Sequence, residues 1–327
     1  MQHWIPAVST LMLTIYFHSQ DTGVHLFQDL VLEKLKAMLP FDSAMWGSAT
    51  MRPKGLDFHT FHLHNSALGM VEAYEKVKHL DTIPAELVRQ EEITLAFNAE
   101  TMLAGRKLRP LRDFAREFGH ENMLITSQYD TRTQLVQWIA LLRRDPAHVG
   151  KPAEARLLQG LAPHLMQALA MNRRHHLDGL LSEDARQHWS SAIVDDRGVI
   201  LYAEAGFLDL IAPDWPCPRE QQLAPALVRQ LKAASASVSV AGKAALVEVA
   251  VVEGLWFLKA RRRQRIDSLS SSELMVARLL ASGLTQKEVA LKLRRSSETV
   301  RSHVRNIFEK LEISSAVMLG KALSITD

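Results

Sequence analysis

Cysteine is almost absent from these 327 residues, where Cys217 stands alone. A single thiol excludes an internal disulfide framework and any zinc site built on several thiolates, and it fits a reducing compartment, so a cytoplasmic setting is expected. Long apolar runs are missing too. The most apolar stretch, Trp4–Phe17, is 14 residues, whereas a spanning helix needs about 20, and it lacks the basic n-region and small-residue cleavage site of a secretory signal. It is expected to pack on its own domain or on a dimer partner, with no membrane attachment. There is no Gly-x-x-x-x-Gly-Lys-Ser/Thr loop and no Gly-x-Gly-x-x-Gly turn, which disfavours nucleotide-driven regulation. Neither a fixed-period repeat nor a low-complexity tract is present, so solenoid, collagenous and disordered classes drop out.

What is present is an ordinary globular composition, 47% apolar and 23% charged, in a chain long enough for two or three domains. The charge is uneven. From Arg261 onward there are thirteen Lys and Arg against seven Asp and Glu, a net +6, while the preceding residues carry a net −3. A small basic module beside a mildly acidic larger part points to a polyanion partner at one end only.

Periodicity places the elements. Leu26, Leu30, Val31, Leu35 and Met38 read as an amphipathic helix closed by Pro40, and Ser43–Met51 with Leu56–Leu63 read as a strand, turn and strand around Arg52–Gly55. A helix is expected near Ala67–Lys78, strands at Asn122–Ser127 and Thr133–Arg143, and a long helix over Pro152–His175 ending in the Arg173–His176 cationic cluster. A second α+β unit begins near His188 with a hairpin around Asp195-Asp196-Arg197-Gly198 and closes with a hairpin at Leu246–Ala260. Helical segments Phe207–Ile211 and Ala224–Ala234 lie between, and Arg261–Arg265 reads as a linker.

The sharpest signal lies beyond it. Thr285 can cap Gln286–Leu293 with Glu288 completing a capping box, and Ser296 or Ser297 can cap a helix reaching Leu311. In that second helix Val300, Val304, Ile307 and Leu311 form one apolar stripe while Arg301, Ser302 and Arg305 face away from it. Two short helices joined by about four residues, the second exposing cations, have helix-turn-helix geometry. The strings Leu269-Ser270-Ser271-Ser272-Glu273, Leu279–Ala290 and Ser297–Leu311 resemble the LuxR/FixJ-type (GerE-like) DNA-binding domain over about 55 residues. Arg294-Arg295 departs from the small Gly-containing turn of that pattern, and Ser314–Met318 lacks its common Arg.

The resemblance implies double-stranded DNA as partner, with base contacts from Arg301, Ser302 and Arg305 and phosphate contacts from Thr285, Gln286, Lys287, Thr299 and Lys310. It also implies a homodimer reading a pseudo-palindrome, with RNA polymerase a further candidate partner. The preceding segments resemble GAF-like and then PAS-like sensor domains in pattern order. The expected fold class is therefore an α+β sensory region, GAF-like over residues 1–180 and PAS-like over 185–262, followed by an all-α four-helix helix-turn-helix domain over 266–327.

The remaining chemistry-bearing residues point in several directions. Tyr74 and Asp81 resemble the aromatic and acidic positions of acyl-homoserine-lactone receptors, though chain length and the absence of an Asp-Pro pair argue against that assignment. His62 and His64 share one strand face near His59 and offer imidazoles to a metal or haem, while surface or satisfied core histidines fit the same pattern. Cys217, between Pro216 and Pro218, is open to haem ligation, redox sensing or neither. Glu91-Glu92 and Asp195-Asp196 are adjacent carboxylates that point apart, and no nucleophile–base constellation stands out, so neither an enzyme nor a bound cofactor or metal is expected. The reading is a DNA-binding transcription regulator controlled by a small effector, with control by a protein partner as the alternative.

Overall fold

The computed structural model describes residues 4–52, 55–67, 69–84, 86, 94–130, 135–179, 189–218, 221–233, 238–252 and 254–324. The carboxylates Glu91 and Glu92 and the expected domain boundary at 180–188 lie outside the described residues.

Helix α1 (Trp4–Asp21) is held by Leu11 and Ile15, which are buried one turn apart, and α2 (Val24–Lys36) by the stripe Phe27, Val31, Leu32 and Leu35. Strands β1 (Ser43–Arg52) and β2 (Gly55–His64) form the expected hairpin, followed by α3 (Met70–Val77). Next come β3 (Thr94–Asn98), α4 (Ala99–Met102) and α5 (Arg109–Glu117). Strands β4 (Asn122–Asp130) and β5 (Leu135–Arg143) then lead into α6 (Pro152–Gly179). The five strands make one antiparallel sheet in the order β2-β1-β5-β4-β3.

Both faces of this sheet are covered, which is why β5 reads as a continuous apolar run rather than an alternating one. Ala44, Trp46, Leu124, Ile139 and Leu141 face α1, α2 and α6, while Trp138, Ala140, Ile125 and Met123 point the other way, toward α3 and α5. At the centre Gly47 pairs with Trp138 across β1 and β5. A side chain there would place its Cβ 2.4 Å from the Thr60 carbonyl oxygen and 2.8 Å from the Trp138 ring, so only glycine lets the indole lie across the strand.

One charged group is sealed inside. Arg143, 1% exposed, donates from Nε to the Pro40 carbonyl at 2.8 Å and from its two terminal nitrogens to Glu154 at 2.8 and 3.2 Å. Glu154 also accepts from the Lys151 N–H at 2.8 Å. Burial opposes ionisation of Glu154, but Arg143 and the Lys151 amide prevail and hold its carboxyl below the usual range. Further along α6, buried Asn172 donates to the Ser19 and Thr22 carbonyls at 3.1 and 2.7 Å, satisfying the end of α1.

A second sheet repeats the strand order. Strands β6 (Ser190–Val194) and β7 (Ile200–Ala203) precede helices α7 (Phe207–Ile211) and α8 (Pro225–Ala233), and β8 (Val238–Ala241), β9 (Ala245–Val252) and β10 (Leu255–Arg262) complete it as β7-β6-β10-β9-β8. One face packs Ala192, Val194, Val247, Trp256 and Leu258 against Phe207, Ile211, Leu227 and Leu231. The opposite face lays Ile193, Leu255 and Phe257 against Val24 of α2 and Leu177 of α6. The Asp195–Gly198 turn is ordered by Asp195, which accepts from the Val199 and Arg197 amides at 2.7 and 3.0 Å, so this acid pair belongs to a turn.

The expected linker is corrected. Arg261 and Arg262 complete β10, paired with Leu246 and Ala245, and the Arg261 guanidinium is held by Asp267 at 2.6 and 2.7 Å. Its charge-rich composition looks like a loop, but the strand ladder and the ion pair claim it. After a 3-10 turn at Arg265–Ser268 follow α9 (Ser271–Ala281), α10 (Gln286–Leu293), α11 (Ser297–Leu311) and α12 (Ala316–Ser324), a small all-α domain.

Replacing Glu154 by Ala leaves the Arg143 cation buried with only a carbonyl to compensate it. Breaking a pair of this kind costs about 3 kcal/mol; urea denaturation followed by tryptophan fluorescence, which reports the buried Trp46, is expected to show that loss.

Candidate nucleic-acid interface

The all-α domain is shaped by caps. Ser270 and Glu273 exchange backbone and side-chain hydrogen bonds at the start of α9, Thr285 and Glu288 do the same at α10, and the Ser296 hydroxyl accepts from the Thr299 amide at 3.1 Å to open α11. Gly283, with φ of 92°, turns the chain from α9 to α10. Between α10 and α11 the left-handed position is filled by Arg294 (φ 52°, ψ 44°) where glycine would be unstrained. The turn geometry thus survives its unusual residue.

Val300, Val304, Ile307 and Leu311 are buried against Val276, Ala277, Val289, Ala290 and Leu319, and this fixes which side of α11 is presented. Arg301, Ser302 and Arg305 are exposed on the other side, with the two arginines one turn apart. Thr285, Gln286 and Lys287 are exposed at the start of α10, and Thr299 in the first turn of α11, where helix N-termini favour anions.

Lys310 stands apart from this group. Its ammonium lies 2.7 Å from buried Glu273 and 3.2 Å from the Ser268 carbonyl, so its charge also ties α11 to the start of α9. Burial raises the Glu273 pKa, but Lys310 and the Ser270 amide and hydroxyl overcome this and hold it down at about 2.

Between the α3/α5 face of the first sheet and those helices lies a partly open cavity of about 100 Å³. Its wall includes Met45, Met70, Met123, Phe58, Phe114 and Trp138. The polar groups are few. Tyr74 donates to Asp81 at 2.9 Å, Asp81 also accepts from the Ile83 amide, and burial raises the Asp81 carboxyl above its usual range. His120 is pushed down to about 4 by burial, so its ring is neutral near pH 7. The Trp138 indole N–H is buried without a hydrogen-bond partner among the described residues. Sequence reading passed over Phe114 and α5, although Leu111, Phe114 and Ala115 recur at helical spacing among charges; the run of five charged residues masked the stripe.

The other candidates fall out differently. His59 lies at the junction of the two sheets, its Nε2 2.9 Å from the Thr50 hydroxyl and its Nδ1 3.3 Å from Asp195. Arg197 reaches from the Asp195 turn to Asp57 at 2.6 Å. His62 and His64 sit beside Asp29 of α2. Cys217 is half-buried with its thiol 3.8 Å from the Trp215 carbonyl, and burial pushes its pKa up, the reverse of what a reactive thiol needs.

A short all-α domain that seats an arginine-bearing helix through a tight turn on a second helix is of the helix-turn-helix DNA-binding class. Residues 267–320 match the family model for bacterial regulatory proteins of the luxR family, and the chain carries a DNA-binding domain of that family there. It is 36% identical over 66 residues to a nitrate/nitrite response regulator protein homolog of Haemophilus influenzae, a match covering 20% of this chain and 32% of that protein. Among solved structures, Escherichia coli SdiA aligns over 97% of both chains at 14% identity with a TM-score of 0.41. The N-acylhomoserine lactone dependent LuxR-family factor CepR2 of Burkholderia cenocepacia aligns over 50% of this chain and 93% of its own at 17% identity with a TM-score of 0.38. Among the described residues no helix is long and apolar enough to cross a membrane.

Because the Glu273 carboxyl sits at about 2 when folded against an ordinary 4.5, its contribution is present above pH 4.5 and is lost as pH falls from there toward 2. The last domain is all-α, so circular dichroism follows its unfolding midpoint. Glu273→Gln is expected to lower that midpoint clearly at pH 6 and much less at pH 2.5.

Proposed function

We propose that the protein is a transcription regulator whose DNA-binding domain reads base edges through Arg301, Ser302 and Arg305, under the control of a small, largely apolar effector in the cavity of the first sheet. The observation that carries the first half is the orientation of α11, with four apolar residues buried and the two arginines exposed a turn apart. Arginine can bond bidentately to a guanine edge. Thr285, Gln286, Lys287 and Thr299 supply phosphate contacts, which position the helix without selecting sequence.

The second half is supported by the cavity. Its volume is smaller than the roughly 150 Å³ of an engineered cavity that admits benzene, but three methionines in its wall can repack around something larger. The unpartnered Trp138 N–H favours an effector with one acceptor atom. The division of labour follows as residues 1–180 for effector binding, 185–262 as a PAS-like connecting unit and 266–327 for DNA. A homodimer is part of this reading, since paired recognition helices match half-sites one helical turn apart. Ile5, Leu13 and Phe17 on α1 are 64–70% exposed, an apolar stripe that suits a second copy. The same stripe supports the alternative, control by a protein partner docked on α1.

The test is fluorescence anisotropy on an operator selected from random duplexes. Arg305→Ala should bring operator affinity close to that for unrelated DNA, with about 1–3 kcal/mol of discrimination lost. Lys287→Ala should weaken all duplexes alike and reduce the salt slope by about one. Ala115→Leu, which fills the cavity, should leave basal operator binding intact and abolish the response to any apolar effector found by screening. A wild-type protein that answers no such compound but changes operator affinity with a partner that Leu13→Glu abolishes would replace effector control by partner control.

A further inference from the structure

Apart from the DNA-reading helix and the cavity, one cluster among the described residues brings three side chains of metal-ligating type within reach of one ion. Asp29 on α2 has its Oδ1 2.9 Å from His62 Nε2 and 2.7 Å from His64 Nδ1. The two histidines are i and i+2 on β2, so they share a face, and the three donor atoms all lie within 4.8 Å of one another. We propose that Asp29, His62 and His64 form a binding site for a divalent transition-metal ion, with Glu33 as the residue that orients His64.

The chemistry of the donors sets the class of ion. Two imidazole nitrogens and one carboxylate oxygen, with no thiolate, suit zinc and iron(II)-like divalent ions rather than the all-oxygen preference of magnesium and calcium or the sulfur preference of copper(I). The surroundings match a ligand set. His64 is 6% exposed, and its second ring nitrogen lies 2.9 Å from Glu33 Oε1, with the Asn65 amide 3.1 Å away. A carboxylate on the far nitrogen is the arrangement that fixes tautomer and ring angle in metal-bound histidines. Asp29 and Glu33 are one helical turn apart, so a single face of α2 supplies both the ligand and the orienting group.

Access and vacancy are also built in. Asp29 is 47% exposed and His62 21%, which leaves coordination positions open to water or an exchangeable ligand. His62 lines a polar cleft between the sheets, whose wall also includes His59, Asp195 and Asp196, giving the ion a route in. Without an ion the carboxylate oxygen accepts from the ring N–H groups. Binding moves the proton of each ring from the liganding nitrogen to the other ring nitrogen, which in His64 faces Glu33, and the Asp29 oxygen draws away from each histidine nitrogen by about half an ångström to reach metal–ligand distances of about 2.0–2.2 Å.

The test uses the full chain, stripped with EDTA and titrated with Zn²⁺ in competition with a chromophoric chelator, and with native mass spectrometry for stoichiometry. The expected result is one ion per chain, a Co²⁺ derivative with visible ligand-field absorption, and a rise in thermal midpoint on adding Zn²⁺. Asp29→Asn at its half-exposed position and His62→Gln should each lose the ion, the Co²⁺ spectrum and the thermal shift. Glu33→Gln should keep one ion at about 10–100-fold lower affinity. His79→Gln, at a histidine outside the cluster, should bind as the wild type does. Binding that is as tight in Asp29→Asn and His62→Gln as in the wild type, or a wild type that takes up no Zn²⁺, overturns the proposal. If His62→Gln does not fold, the Asp29→Asn and Glu33→Gln pair decides the question alone.

Discussion

A guanidinium sealed inside an apolar wall is the constraint around which the first unit is organised. Arg143 ends β5, Pro40 lies between α2 and β1, and Glu154 stands in the first turn of α6, so two successive elements and a segment 103 residues earlier meet at one planar group. An arginine fits where lysine would not, because its fork presents parallel donors to the carboxylate and a further N–H to the carbonyl. Its burial is tolerated only because those partners meet it, and the polar partners in turn fix where α6 begins. Once α6 is placed, Asn172 in the same helix secures the end of α1, and Leu177 reaches the second sheet.

The sheet geometry then divides the roles. A central sheet covered on both faces can pack tightly on one side and leave room on the other. Trp46 and Ile139 fill the α1/α2/α6 side, whereas Trp138, admitted by Gly47, and the methionines around it leave a void beneath α3 and α5. The void and the close-packed side therefore share strands and differ only in which alternate residues they use. The Asp29–His62–His64 cluster sits at the edge of the same sheet, on β2, where the strand ladder has no further neighbour to cover it.

Much of this was legible in the sequence wherever the signal is local. The capping box at Thr285, the β1–β2 hairpin, the Asp195 turn and the α11 stripe all depend on residues within a few positions of one another, and they stand as read. What escaped depends on distant partners. Strands β3 and β8 are edge strands of five and four residues that exist because a neighbour pairs with them. Arg261 and Arg262 carry a linker's composition and are held by strand pairing and by Asp267. The Lys310–Glu273 ion pair joins residues 37 positions apart. Asp29 carried no sign of its role, because the histidines that face it are more than thirty positions further on.

The join between the second sheet and the DNA-reading helices has a mechanical meaning. Only Arg263 and Gln264 separate the last strand from the 3-10 turn, and the Arg261–Asp267 pair spans them. A tether this short and cross-braced transmits rotation instead of absorbing it. The helix-turn-helix domain is thus tied closely to the strand that precedes it, with little slack to turn independently of β10.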